Sequence, residues 1–211
     1  MKKTFFLIVL CALLSAFSYG QSGTKSNQDA FANVIYVRLG YGLPGGNLKT
    51  EEVLTAGAKF EVGTLFYIRS LNLPEKFKIG VDATYLSLTG LVNKDNFIND
   101  NQTNSYFTAG LKLGPSISYN FAGSWIADVY LKVHPHYFIT GEQNKYDAPT
   151  QLKIGYSTGL NVRYKALMIG YELTSSTYTF DVETTPSRAA METTAKKIKL
   201  PVAFLTLGVN L

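Results

Sequence analysis

Side chains along most of this chain alternate between apolar and polar with a period of two residues. Residues 152–164 show the pattern most clearly. The even-numbered positions, one parity of the strand, are mostly Leu, Ile, Tyr and Val, while the odd-numbered positions are Lys, Gly, Ser, Asn and Arg. Successive side chains of a β-strand point to opposite faces, whereas an amphipathic helix repeats every 3.6 residues. The chain is therefore predicted to be all-β, with strands that are apolar on one face and small or charged on the other.

Eight such segments follow one another along the chain. They lie near 33–42, 57–70, 76–90, 107–121, 125–139, 152–164, 166–180 and 197–211. Tight links near 71–75, 121–123 and 165 alternate with long links near 43–56, 91–104, 141–151 and 181–196. The long links hold turn-forming residues such as the Asn-Lys-Asp-Asn at 93–96, which cannot be strand interior. This order predicts an eight-stranded antiparallel up-and-down barrel with its long loops at one end.

The alternation alone leaves open whether the apolar face lies inside a soluble barrel or outside against lipid. Only 17% of residues are charged, and mean hydropathy is +0.04, between the two cases. An eight-stranded barrel has an interior just wide enough for side chains, and here the apolar parity is large while the polar parity carries many glycines. A charge facing hydrocarbon would cost about 2–4 kcal/mol at the bilayer midplane. We therefore predict a transmembrane barrel with the apolar face outside.

The polar face carries charges of both signs. Hairpin registers centred on the turns and loops place Arg38 opposite Glu61, Asp82 near Lys112, and Asp128 near Arg163. Opposite charges on one face of neighbouring strands attract each other. The predicted polar network of the interior comprises Arg38, Glu61, Asp82, Lys112, Asp128, Lys132, Arg163 and Glu172.

The N-terminus has the layout of a secretory signal peptide. Two lysines are followed by an apolar run over 5–14, and then by small and polar residues that end at Gly20. Cleavage before Gln21 would remove Cys11, the only cysteine, so that no disulfide could form afterwards. The mature chain would depend on its fold alone for stability.

The sequence is predicted to consist of three segments. Residues 1–20 are the predicted signal peptide, 21–30 a flexible leader, and 31–211 a single barrel domain. The net charge of +5 falls by two when Lys2 and Lys3 are removed, which is too little to indicate a nucleic-acid partner.

Two histidines form the one pattern suggestive of catalysis. His134 and His136 lie two apart on a predicted strand and so share a face, with Ser157 as a candidate across the strand pair. Such a pair could hold a metal or supply a base, but a nucleophilic site also needs a third, orienting group, and the sequence offers none. Residues 40–45 match the letters of a dinucleotide motif without the βαβ unit it requires. No metal, cofactor or enzymatic activity is therefore predicted.

The signal peptide, the eight alternating strands, the short turns alternating with long polar loops, and the terminal strand 204–211 together resemble the small outer-membrane β-barrel proteins of the OmpA/OmpX type. The resemblance spans nearly the whole chain after the predicted cleavage site, and it rests on pattern and not on a signature motif. One departure is the last residue, because the family usually ends in an aromatic that the barrel-assembly machinery reads, and this chain ends in Leu211.

The resemblance implies a monomeric, non-enzymatic protein of the bacterial outer membrane, exported by the Sec pathway and inserted by the barrel-assembly machinery. It would contact outer-membrane lipid and lipopolysaccharide, and its four long loops would serve a structural, adhesive or partner-binding role. Some small outer-membrane barrels are lipid-modifying enzymes that use a His and a Ser, so a lipid A deacylase or acyltransferase with His134 or His136 as base is an alternative. A narrow channel and a soluble lipocalin-like binder are further alternatives, although the chain lacks an early Gly-x-Trp motif.

Overall fold

Eight antiparallel strands close into one barrel in the computed structural model, which describes residues 31–46, 54, 56–92, 105–140, 150–183 and 193–211. The strands are β1 Val34–Pro44, β2 Ala56–Tyr67, β3 Phe77–Val92, β4 Ser105–Ala122, β5 Trp125–Thr140, β6 Gln151–Tyr164, β7 Leu167–Glu183 and β8 Thr193–Asn210. Each strand pairs with the next, and β8 pairs with β1 to complete the cylinder. The predicted eight-stranded antiparallel up-and-down barrel is confirmed.

The predicted tight links near 121–123 and 165 are confirmed, whereas the predicted tight link near 71–75 is wrong: it spans 68–76 and is as long as the link between β7 and β8. Gly123 begins the two-residue turn between β4 and β5, and Lys165 begins that between β6 and β7; both have positive φ, 55° and 53°. Two-residue hairpins favour positive φ because it matches the twist of the flanking strands. The predicted signal peptide, the leader 21–30 and the middle parts of the long links lie outside the described residues. Among the described residues, no helix is long and apolar enough to cross a membrane.

The two parities of each strand face opposite sides of the barrel wall, and the apolar parity is outside. Outward residues such as Leu113, Val129 and Leu207 are 57%, 54% and 58% exposed, whereas the charged inward residues are almost fully buried. The distribution is the reverse of that in a soluble protein, in which large apolar side chains fill the core.

Inside the barrel, side chains form three layers along the axis. At the short-turn end, Phe31 and Tyr67 meet edge to face with ring centroids 5.4 Å apart, and Leu65 and Ile126 complete this lower apolar layer. Charged and hydroxyl side chains fill the middle. At the loop end, an upper apolar layer is formed by Leu54, Leu91, Tyr106, Phe138, Tyr178, Ile198, Leu200, Val202 and Phe204. Non-strand residues, Phe31 and Leu54, therefore help to close both ends of the interior.

Two tyrosines cross the interior over glycines on the neighbouring strand. Tyr36 lies directly opposite Gly63 in the β1–β2 register, and Tyr130 lies directly opposite Gly159 in the β5–β6 register. A Cβ at Gly63 would meet the Tyr36 hydroxyl, and one at Gly159 would meet the Tyr130 hydroxyl. These glycines thus leave the space through which the two phenols reach the polar middle layer.

Replacing Gly159 with Ala is expected to lower the free energy of unfolding by about 1–3 kcal/mol, because the added methyl forces the Tyr130 ring from its place. The measurement is a urea titration of the refolded barrel in detergent. Gly90→Ala is the matched control, since no atom lies within 4 Å of a Cβ built there. Equal midpoints for the two variants would show that Tyr130 does not depend on the space above Gly159.

Candidate functional site

The centre of the polar layer is built on two carboxylates, Glu61 on β2 and Glu172 on β7. Lys112 on β4 bridges them, with its Nζ 2.6 Å from Glu61 Oε1 and 2.5 Å from Glu172 Oε1. Arg38 on β1 pairs with Glu61 at 2.6 Å, and Lys59 on β2 pairs with Glu172 at 2.9 Å. All five side chains are 0% exposed. Three cations thus share two anions, and the cluster joins four strands across the interior.

Neutral side chains complete the shell of this cluster. Tyr130 donates its hydroxyl to Glu172 Oε2 at 2.7 Å, and Arg38 Nη1 donates to the Tyr130 oxygen at 3.2 Å. Ser87 donates to Glu61 Oε1 at 3.2 Å. Buried charges are tolerated when opposite charges and hydrogen bonds satisfy them together, which is the arrangement here.

A second ion pair joins β5 to β3 across the interior. Lys132 Nζ lies 2.7 Å from Asp82 Oδ2 and donates to Thr84 Oγ1 at 3.1 Å. The Tyr36 hydroxyl donates to the other Asp82 oxygen at 2.6 Å. Tyr36 therefore connects β1 to this pair.

A third ion pair lies nearer the short-turn end. Arg163 donates to Asp128 through two nitrogens, Nε at 2.6 Å and Nη2 at 2.9 Å. Ser118 also donates to Asp128, at 2.5 Å, and Arg163 Nη2 reaches the hydroxyl of Tyr67. The pair thus borders the lower apolar layer, to which Tyr67 belongs.

The structure places all eight residues of the predicted network inside the barrel. Arg38 lies directly opposite Glu61, and Arg163 pairs with Asp128 from two residues along β6, as predicted. Asp82 and Lys112 are diagonal neighbours on one face, because the β3–β4 register sets Asp82 opposite Gly114 and Lys112 opposite Thr84. They do not form an ion pair, however, since Lys112 extends away to Glu61 and Glu172.

The sequence reasoning missed Lys59 and the hydroxyl-bearing members of the network, among them Tyr36 and Tyr130. Lys59 lies two residues from Glu61, so their shared face on β2 was a signal that could have identified it. Both tyrosines occupy the polar parity of their strands, but nothing in the sequence distinguishes an inward phenol from the many outward ones.

The two histidines also lie in the interior, above the ionic cluster. Their rings stack with centroids 4.3 Å apart, and the nitrogens of His136 lie 2.8 Å from the His134 carbonyl oxygen and 2.8 Å from the Tyr178 hydroxyl. Ser157 is opposite Lys132 in the β5–β6 register, not opposite a histidine. All three are buried, so none reaches the lipid-facing surface.

A small cavity adjoins His134 beside the upper apolar layer. Its volume is about 20 Å³, which is room for one water, and His134, Thr108, Ser176 and Tyr178 are among the residues that line it. Within the described part of the chain, no group of three or more His, Cys, Asp or Glu residues is arranged to hold a metal. The cavity can take a solvent molecule and is too small for a lipid chain.

The chain was compared with protein families, curated proteins and solved structures. No protein-family model matches the sequence, and no curated protein matches it. Among solved structures, it is similar to Neisserial surface protein A, with a TM-score of 0.50, 9% identity, and coverage of 85% of this chain and 96% of that one.

Two further solved structures are similar at lower scores. The outer membrane enzyme PagL has a TM-score of 0.45 and 12% identity, with coverage of 84% of this chain and 99% of that one. The outer membrane protein Ail of Yersinia pestis has a TM-score of 0.43 and 10% identity, with coverage of 85% and 100%. This chain has the fold of the small eight-stranded outer-membrane β-barrels, because its strands close into a barrel with apolar side chains outside and charged side chains inside, and because it is similar to Neisserial surface protein A.

Proposed function

We propose that the chain is a monomeric, non-enzymatic protein of the bacterial outer membrane, whose barrel anchors four long loops for a structural, adhesive or partner-binding role. The observation that carries the proposal is that the barrel has ion pairs at its centre and apolar side chains on its exterior. Exposing that exterior to water would be unfavourable, whereas contact with the hydrocarbon of a bilayer is favourable. The strand ends joined by the long links 45–55, 93–104, 141–150 and 184–192 all lie at one end of the antiparallel barrel, which is the surface we assign to a partner.

The layered interior supports a barrel that does not conduct solutes. A pore needs a continuous aqueous path, and porins obtain theirs from many more strands. Here the central charges are fully buried, and apolar layers containing Phe31 and Leu54 close the two ends. The narrow-channel alternative therefore lacks a path among the described residues.

The enzyme alternative draws no support from the positions of its candidate residues. A lipid-modifying site has to meet an acyl chain at the outer surface, but His134, His136 and Ser157 are buried inside the wall. The cavity beside them holds about one water. The ring nitrogens of His136 lie against the Tyr178 hydroxyl and a backbone carbonyl oxygen and not against Ser157.

Membrane fractionation and heat-modifiability on a gel test the proposal. The protein is expected in the outer-membrane fraction, with an unboiled form that migrates differently from the boiled form because the closed barrel resists detergent. In planar bilayers the purified protein is expected to give no conductance steps. A soluble protein with identical migration before and after boiling would overturn the membrane assignment, and stable conductance steps would overturn the closed interior.

A further inference from the structure

The outward face of the β7–β8 hairpin changes character toward the loop end. Leu173 and Ala203 form the last apolar outward pair of these two strands. Beyond them, Thr177 faces Lys199 and Thr179 faces Lys197, and both lysines are exposed. An outward lysine on a lipid-facing wall is costly unless it has passed the hydrocarbon boundary. These two pairs therefore mark the level at which this side of the barrel reaches the lipid headgroups.

Among the residues that the structure describes, no outward charged side chain lies beside these lysines on the neighbouring strands at this level. On the β1 side, Pro44 is the last residue paired with β8, and it lies opposite Val202, so both lysines lie beyond the end of β1. On the β6 side, the outward residues at the corresponding level are Ile154 and Leu152, which are 65% and 64% exposed. A strongly apolar strip thus lies beside a cationic one.

A side-chain bridge keeps these two strips together. Backbone pairing of β6 with β7 stops at Tyr156 and Ser175. Above that point, the Gln151 amide donates to the Thr179 carbonyl at 2.6 Å and accepts from the Thr179 amide at 3.2 Å. Gln151 therefore replaces a strand pair and holds Leu152 next to the face that carries Thr179 and Lys197.

We propose that Lys197 and Lys199, flanked by Thr177 and Thr179, bind the phosphate of an anionic lipid headgroup whose acyl chains run down the apolar outward face below these pairs, past Ile154 towards Leu173. Lysines two apart on a strand are about 6–7 Å apart, so their ammonium groups can approach one phosphate from two sides. Threonine hydroxyls on the paired strand can donate as well. A soluble anion would use the cationic strip alone, whereas a lipid uses both strips. This inference rests on the proposed membrane location.

Vesicles that differ only in headgroup test the site. Wild-type protein and the double variant Lys197→Gln/Lys199→Gln are refolded into phosphatidylcholine vesicles, alone or with lipid A, with phosphatidylglycerol, or with inorganic phosphate in the buffer. The readout is the temperature at which the folded band on the gel is lost. Lipid A is expected to raise this temperature for the wild type by about 4–8 °C. The double variant should match the wild type in phosphatidylcholine and lose at least half of the rise.

The control is Arg69→Gln/Lys76→Gln, which removes two exposed cations at the opposite end and should keep the full rise. A rise with phosphatidylglycerol as well supports an anionic lipid site that reads the phosphate and not the sugar. Equal rises for wild type and the Lys197/Lys199 variant would overturn the site, as would a rise produced by inorganic phosphate alone. Failure of the wild type to fold into any vesicle would overturn the proposed membrane location, and the site with it.

Discussion

Replacing Glu172 with Gln is expected to lower the free energy of unfolding by about 3–5 kcal/mol, because it removes one of two anions that three buried cations share. The amide keeps the size of the carboxylate and can still accept from Tyr130, so the effect isolates charge from shape. Lys59 and Lys112 would retain only Glu61 nearby. The measurement is the urea midpoint of the refolded barrel in detergent.

Two variants make this result specific. Glu75→Gln removes an exposed carboxylate in the link between β2 and β3 and should change stability by less than about 0.5 kcal/mol. The double variant Lys59→Met/Glu172→Gln restores the original excess of one cation and should recover part of the loss. If Glu172→Gln were no more destabilising than Glu75→Gln, the central cluster would have to be hydrated and not dry.

Replacing Arg163 with Leu is expected to cost about 3 kcal/mol or more, because Asp128 would stay buried with only the Ser118 hydroxyl to satisfy it. The change also takes a hydrogen bond from Tyr67, whose ring packs on Phe31 in the lower layer. The unfolding midpoint should therefore fall. The loss of fixed packing around Phe31 should appear in the near-ultraviolet circular dichroism.

The double variant Arg163→Leu/Asp128→Leu is the informative partner, since replacing both members of a buried ion pair by apolar side chains is often neutral or stabilising. Most of the loss should be recovered in this variant. An unchanged midpoint for Arg163→Leu alone would mean that the pair lies in water, and that the inward orientation of β5 and β6 at this level is wrong.

The sequence was sufficient to predict which residues face inward, but not which of them meet. Parity is a local property of an extended strand, so the inward position of Glu172 or Lys132 follows from its neighbours. Partners depend on two non-local features. Register shifts in β2–β3 and β3–β4 displace residues relative to a simple hairpin count, and long side chains cross the interior to strands that are not adjacent.

Asp82 shows the second effect. It is a diagonal neighbour of Lys112 on the adjacent strand, but it binds Lys132, two strands away. The apolar layers at the two ends were also outside the reach of pattern reasoning, because Phe31 and Leu54 belong to no strand. The chemistry of the outward surface was more accessible, since the change from Leu173 to Thr177 can be read along a single strand.

The central cluster also constrains the order of assembly. Glu172 meets Arg38 from 134 positions away and Lys112 from 60 positions away, so its contacts have very high contact order. Arg38 and Glu61 can pair within the β1–β2 hairpin, but Glu172 has none of its cationic partners until β7 has joined a sheet that already contains β1, β2 and β4. An open sheet that presented them to hydrocarbon would carry several unpaired ions, each of which is expensive there. Water must therefore accompany these side chains until the cylinder closes, so that expulsion of that water and closure of the barrel are a single late step in folding.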